Sequence, residues 1–225
     1  MEFDTIKERV KAVKRELTGG NPFGESVTLV AAIKTQTPQA INAAIEAGVD
    51  AVAENKPQEF RDKNHLINTC PRHFIGHLQT NKLKYLIGKI ELYHSCDRVE
   101  LIDEIAKASL KREIVSDVLL QINIGDESSK SGFSLEESRA IFERASKTEG
   151  VRTVGFMAML PDTDDLGLLG ALADKMRALF DWAKDKDETV RYLSMGMSGD
   201  YKLCVDHGSN AVRLGSTLFG ARNYQ

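Results

Sequence analysis

The sequence predicts an α/β protein folded as a (β/α)8 TIM barrel with an extra helix at its N-terminus. Three observations predict it. Short apolar runs alternate with helix-like stretches along the chain, eight such runs can be read, and no Pro/Gly-rich or low-complexity linker divides them. Eight βα units favour closure over an open doubly wound sheet, and 225 residues falls within the usual size of such a barrel. The expected organisation is a single domain over residues 1–225, with residues 1–20 forming a helix packed on it.

Taken in order, Phe3, Ile6, Val10, Val13 and Leu17 share one face of an amphipathic helix that Gly19 and Gly20 end. Strands are expected at TLVAAIK (28–34), AVAEN (51–55), RHFIGH (72–77), LYHSCD (92–97), DVLLQINI (117–124), TVGFMAM (153–159), YLSMGMS (192–198) and AVRLGS (211–216). Helices fill the intervals. Thr37 caps and Pro38 opens the helix AINAAIEA, which Gly48 closes. Ser134 and Glu137 have the spacing of a capping box, and Gly150 stands at the far end of that helix.

Bulk properties narrow the function. The chain is 42% apolar and 28% charged, and its formal net charge of −3 gives no electrostatic reason to expect nucleic acid or an anionic membrane. Lys82, Lys84 and Lys89 read as a solvated helix face. Cys70, Cys96 and Cys204 are odd in number, with no C-x-x-C pair, which argues against a disulfide framework or a zinc site. The N-terminus carries charges from its second residue and no apolar signal region, and no apolar run approaches the ~20 residues that span a bilayer. The expectation is a cytoplasmic protein.

In a parallel barrel the active site gathers at the C-terminal ends of the strands, and side chains alternate inward and outward. Val30, Ala32 and Lys34 then share a face, opposite Leu29, Ala31 and Ile33; Ala211, Arg213 and Gly215 share another, opposite Val212 and Leu214. The apolar sets suit the helices, so Lys34 and Arg213 are expected in the barrel mouth, with Asn55, His77, Asn123 and Ser198. A bound polar ligand is the simplest reason for polar residues ending apolar strands on one face. A lysine nucleophile needs its pKa lowered from ~10.4 towards ~7–8, which partial burial and a neighbouring cation such as Arg213 favour; the alternative is a structural lysine paired at the rim. Ser198 and the Gly215-Ser216-Thr217 turn precede expected helices after the last two strands, where barrels often bind phosphate; either serine alone reads as an ordinary cap, and both at the two expected strand ends favour phosphate. His73 and His77, on one strand, would lie ~13 Å apart, too far to share a metal. His65, His94 and His207 read as satisfied polar residues, and Met157, Met159, Met195 and Met197 as core, with Met157 and Met197 bordering the pocket.

These residues sit in segments that closely resemble the pyridoxal phosphate homeostasis family, whose barrel is shared with the alanine racemase N-terminal domain in the fold-type III class of pyridoxal-phosphate proteins. They are AAIKT, AEN, HFIGHLQTNK (73–82), HSCD, QINIGDESSKSGF (121–133), GFMAM, LSMGMSGD (193–200) and VRLGSTLFGARNY (212–224). The resemblance implies that Lys34 holds pyridoxal 5′-phosphate as a Schiff base. It also implies that Ser198, Gly215 and Ser216 hold the phosphate, that Arg213 faces the pyridine nitrogen, and that Asn55, His77 and Met157 line the ring pocket. The sequence departs from the family at Ile33, where a small polar residue is usual, at Gln36, where a second lysine is common, and at Ala53, where the family has glycine. Gln36 puts in doubt a second lysine's part in handing the cofactor on.

An arginine opposite the pyridine nitrogen disfavours a protonated ring and weakens it as an electron sink. Racemisation needs an acid/base on each face of an amino acid, which alanine racemase completes from a further β domain, whereas this sequence stops at Gln225. The expectation is a monomeric protein of vitamin B6 balance that holds the cofactor without dedicated turnover, with pyridoxal-phosphate apoenzymes as acceptors. Two other readings stay open. A weak racemase would exchange α-protons of single enantiomers in deuterated water. A Schiff-base aldolase on a phosphorylated sugar would be colourless as purified and trapped by borohydride only with substrate.

Overall fold

The computed structural model describes residues 2–126 and 131–220. Glu127–Lys130, inside the QINIGDESSKSGF segment, and Ala221–Gln225, at the end of the last segment, lie outside the described residues. Eight parallel strands close into a barrel in sequence order: β1 (Thr28–Ala32), β2 (Ala51–Glu54), β3 (Arg72–Phe74), β4 (Leu92–Cys96), β5 (Ser116–Ile122), β6 (Val151–Ala158), β7 (Tyr192–Ser194) and β8 (Ala211–Leu214). Pairing of Thr28 with Ala211 and of Ala31 with Leu214 closes the ring.

The helices are α1 (Glu2–Leu17), α2 (Pro38–Glu46), α3 (Pro57–Lys63), α4 (Val99–Leu110), α5 (Ser138–Ala145), α6 (Leu166–Lys184), α7 (Tyr201–Asp206) and α8 (Ser216–Phe219), with 3-10 turns at Asn64–Leu66 and Thr80–Tyr85. Local chemistry sets their ends. The Thr37 side chain accepts the Ala40 N–H at 3.2 Å, and Pro38 opens α2. Ser134 and Glu137 make the reciprocal capping box, but it closes the turn before α5, so that helix starts one turn later than the motif suggests. On α1, Ile6, Val10, Val13 and Leu17 are buried, each contributing about 1.5–3 kcal/mol as an upper estimate, whereas Phe3 is left exposed.

The inward and outward alternation holds. Leu29, Ala31, Ile33, Val212 and Leu214 pack outward against α1 and α2, while Val30, Ala51 and Ala53 form an inner cluster. Leu92, Leu119, Val154 and Met157 fill the inside on the opposite wall. Register shifts in β4/β5 and β5/β6 let both walls keep their faces, and at Gly155 (φ 144°) an added Cβ would meet the Tyr192 carbonyl oxygen at 1.8 Å.

The strands are shorter at their C-terminal ends than the apolar runs suggested. Lys34, Asn55, His77, Asn123, Ser198 and Gly215 all stand beyond the last paired residue. For His77 this matters, because β3 stops at Phe74 and its alternation cannot be carried three residues further.

Candidate functional site

Lys34 follows β1 by two residues, and the Ile33 N–H still donates to the Ala53 carbonyl at 2.9 Å, so the chain stays bonded to β2 up to the residue before the lysine. The side chain is half-buried. Its backbone is pinned from both sides: the Thr35 hydroxyl donates to the Lys34 carbonyl at 2.6 Å, and the Thr35 N–H donates to Glu59 on α3 at 3.1 Å. Thr35 itself has φ 65°, a strained value for a β-branched residue, directly after the lysine. Sequence reasoning missed this turn, since nothing in TQT signals a left-handed backbone.

Across the barrel seam Gly215 lies against the end of β1. An added Cβ there would meet the Ala32 carbonyl oxygen at 3.7 Å. Gly215 precedes α8, whose Thr217 N–H donates to the Ser198 hydroxyl oxygen at 3.2 Å. The turns after β7 and β8 are thus joined; the Leu218 and Phe219 N–H groups donate to the Gly215 carbonyl at 3.0 and 2.9 Å, which leaves the Ser216 N–H and the exposed Ser216 hydroxyl as the donors of α8 beside the β1 end. The β7 turn is fixed by the Arg213 N–H donating to the Gly196 carbonyl at 2.9 Å, and by the Met197 N–H donating to Asp200 at 2.6 Å.

Arg213 points into the barrel and is 5% exposed. Its Nη1 donates to the Ser194 carbonyl at 2.8 Å and the Ser194 hydroxyl oxygen at 2.6 Å, and its Nη2 donates to the Ala158 carbonyl at 3.0 Å. Burial pulls its pKa down to about 10, so the guanidinium stays charged at neutral pH. Two of its five N–H groups have no partner among the described residues. Asn55, one residue beyond β2, has its N–H held by Glu54 at 2.9 Å, while its buried side-chain oxygen has no partner among the described residues. Met157 is buried on the inner wall.

His77 is different. Its side chain is 59% exposed, with Nδ1 2.9 Å from Asp97, the residue after β4. It belongs to the rim between the third and fourth loops.

Sequence reasoning also missed a buried polar set on the inner wall. His94 Nδ1 lies 3.0 Å from the Ser194 hydroxyl, and His94 Nε2 lies 3.0 Å from His73 Nδ1. Burial pushes the His73 imidazole down to about 4 and holds His94 well below the usual value, with the nearby His73 and Arg213 adding to it. The partners are separated in sequence by 21 and 100 residues, so spacing along the chain could not pair them. Alternation applied to β3, β4 and β7 would have placed all three inward.

The model of the alanine racemase N-terminal domain matches residues 2–223. The pyridoxal phosphate homeostasis protein of Aquifex aeolicus is 37% identical over 223 residues, covering 97% of this chain and 96% of that protein. Its namesake from Escherichia coli K12 is 33% identical over 224 residues, covering 97% and 94%. Among solved structures, PipY of Synechococcus elongatus with pyridoxal phosphate bound superposes with a TM-score of 0.83 at 27% identity, covering 96% of this chain and 100% of PipY. Alanine racemase of Corynebacterium glutamicum shares the fold, with a TM-score of 0.77 at 14% identity, over 98% of this chain and 62% of that enzyme.

Proposed function

Because this chain belongs to the pyridoxal phosphate homeostasis family, within the alanine racemase N-terminal domain class, we propose that it holds pyridoxal 5′-phosphate on Lys34 and takes part in balancing the free cofactor. The observation that carries the reading is the seam between β8 and β1. Gly215 abuts Ala32, and this brings the joined Ser198–Thr217 turns beside the segment that carries Lys34.

The residues fit the group. When bound, the cofactor supplies an aldehyde that a lysine amine captures with loss of water. Lys34 offers that amine from a turn whose backbone is fixed on both sides. Ser198, Gly215 and Ser216 would hold the phosphate through the two hydroxyls and the backbone N–H groups that open the α8 turn. Arg213 would offer its uncommitted N–H groups to the ring nitrogen. It is a donor that keeps its own proton, so it leaves the ring nitrogen unprotonated. The orphaned Asn55 oxygen would accept from the ligand side, and Met157 would pack against the ring. The exposed His77 contributes at the rim, with its orientation set by Asp97.

This arrangement supports holding rather than turnover. An arginine-faced ring stabilises carbanions poorly. Tyr93 is buried outward and Tyr201 bonds Glu16 on α1, so neither supplies a second acid/base in the mouth. The protein is read as a cytoplasmic monomer that passes cofactor to pyridoxal-phosphate apoenzymes; no described helix is long and apolar enough to cross a membrane.

Borohydride reduction of the full chain with pyridoxal 5′-phosphate, followed by intact mass, tests the reading. One covalent addition in the wild type and none in Lys34→Ala is expected. An unmodified wild type, or an equal addition in Lys34→Ala, would overturn it. Incubation of loaded protein with L- or D-alanine in deuterated water is expected to leave the α-proton in place.

A further inference from the structure

A hydrogen-bond chain crosses the barrel behind Arg213, and its direction can be deduced. Arginine only donates. Its Nη1–H points to the Ser194 hydroxyl oxygen at 2.6 Å, so that oxygen accepts there. The hydroxyl's own proton then has one described acceptor, His94 Nδ1 at 3.0 Å. His94 must therefore carry its proton on Nε2, which donates to His73 Nδ1 at 3.0 Å. His73 in turn carries its proton on Nε2. His73 lines a cleft of about 410 Å³ with Lys14, Thr28, Asp50 and Glu91 at the opposite, N-terminal end of the barrel.

The reverse direction fails. With His94 Nδ1 as donor, the Ser194 oxygen would accept from both sides and its proton would have no acceptor, in a side chain with no exposure. A doubly protonated imidazole is opposed by complete burial and by the Arg213 cation.

We propose that His94, backed by His73, is a positioning residue for the ring site. By accepting the Ser194 proton it makes Ser194 present only lone pairs to Arg213, which holds the guanidinium in place with two N–H groups uncommitted. The proposal rests on the cofactor reading above, and it gives the two buried histidines a part in holding the ring although they stand behind Arg213. Each imidazole is held in one tautomer by its neighbours, starting from the arginine.

Long-range proton–nitrogen NMR on the full chain without added cofactor reads the tautomers. His94 and His73 are both expected as neutral Nε2–H forms, and Ser194→Ala is expected to release His94 from its single tautomer. A wild-type His94 with its proton on Nδ1 overturns the proposal. The second measurement is the rate at which reconstituted protein releases pyridoxal 5′-phosphate. His94→Leu removes the acceptor and is expected to release it about tenfold faster, the scale of one buried hydrogen bond. His94→Asn keeps an amide oxygen near the place of Nδ1 and is expected to restore most of the retention. Equal rates in the two variants reduce His94 to packing and overturn the proposal. Should His94→Leu not fold, Ser194→Ala takes its place, with faster release expected and wild-type release contrary to the proposal. A wild type that gains no covalent mass on reduction removes the cofactor reading and this role with it. A wild type that gains the mass while His94→Leu and His94→Asn release alike removes this role alone.

Discussion

At the scale of single residues, the barrel interior is more polar than an apolar strand pattern suggests, and four of its polar side chains are linked in one chain of hydrogen bonds. Arg213, Ser194, His94 and His73 satisfy one another in sequence. Such a network is costly to break because each member is buried. His73 also has a consequence for pH. Its folded pKa, lowered by burial to about 4, lies below the unfolded value of 6.5. The unfolded chain therefore binds the extra proton between these values, and stability falls as pH drops from 6.5 to 4. The loss from this residue is up to about 3 kcal/mol. Urea unfolding at stepped pH is expected to show a shallower acid slope for His73→Asn than for the wild type. Equal slopes would mean that the imidazole is not held neutral.

At the scale of elements, the two ends of the barrel have separate tasks. On the N-terminal face, Glu25 in the loop before β1 joins Arg177 (2.7 Å) and Lys184 (2.9 Å) of α6 and Asn21 (3.0 Å). Burial would raise its carboxyl pKa, but the hydrogen bonds from Arg177, Asn21 and Lys184 win and pull it down to about 2. A depressed carboxylate stabilises the fold above its unfolded value near 4.5, and that stability is lost as pH falls from 4.5 towards 2. Discounted for partial solvent screening, Glu25→Gln is expected to cost about 1–2 kcal/mol at pH 7. Chemical denaturation should show wild type and variant converging towards pH 2. On the C-terminal face the loops after β2 and β3 are pressed together, and an added Cβ at Gly76 would lie 2.0 Å from the Asn55 carbonyl oxygen. Gly76→Ala must force the two loops apart at Asn55. A cofactor titration is expected to show affinity lowered about tenfold, and unchanged affinity would separate Asn55 from the ring pocket.

At the scale of the whole molecule, closure is the governing feature. β1 pairs with both β2 and β8, so the first and last strands share a ladder and neither can leave without opening the ring. The helix α1 packs on the same seam, its Ile6, Val10 and Val13 in one cluster with Leu29, Val212 and Leu218. One cooperative unfolding transition is therefore expected, with calorimetric and van't Hoff enthalpies in agreement. Two separated transitions would divide the chain into independent units.

The order of eight strands, their inward and outward faces and the Thr37 cap of α2 were legible in the sequence. They depend on neighbours a few residues apart: Val30 against Leu29, Thr37 against Ala40. The inward position of Arg213 was legible too, because alternation along a short strand is a local rule. Only the tertiary structure decided where each strand stops, and so that His77 belongs to the rim and Thr35 is strained. It alone paired His94 with His73 and Ser194, and set Gly215 against Ala32. These contacts join residues brought together by ring closure, and closure is a property of all eight strands at once. No window of sequence contains it.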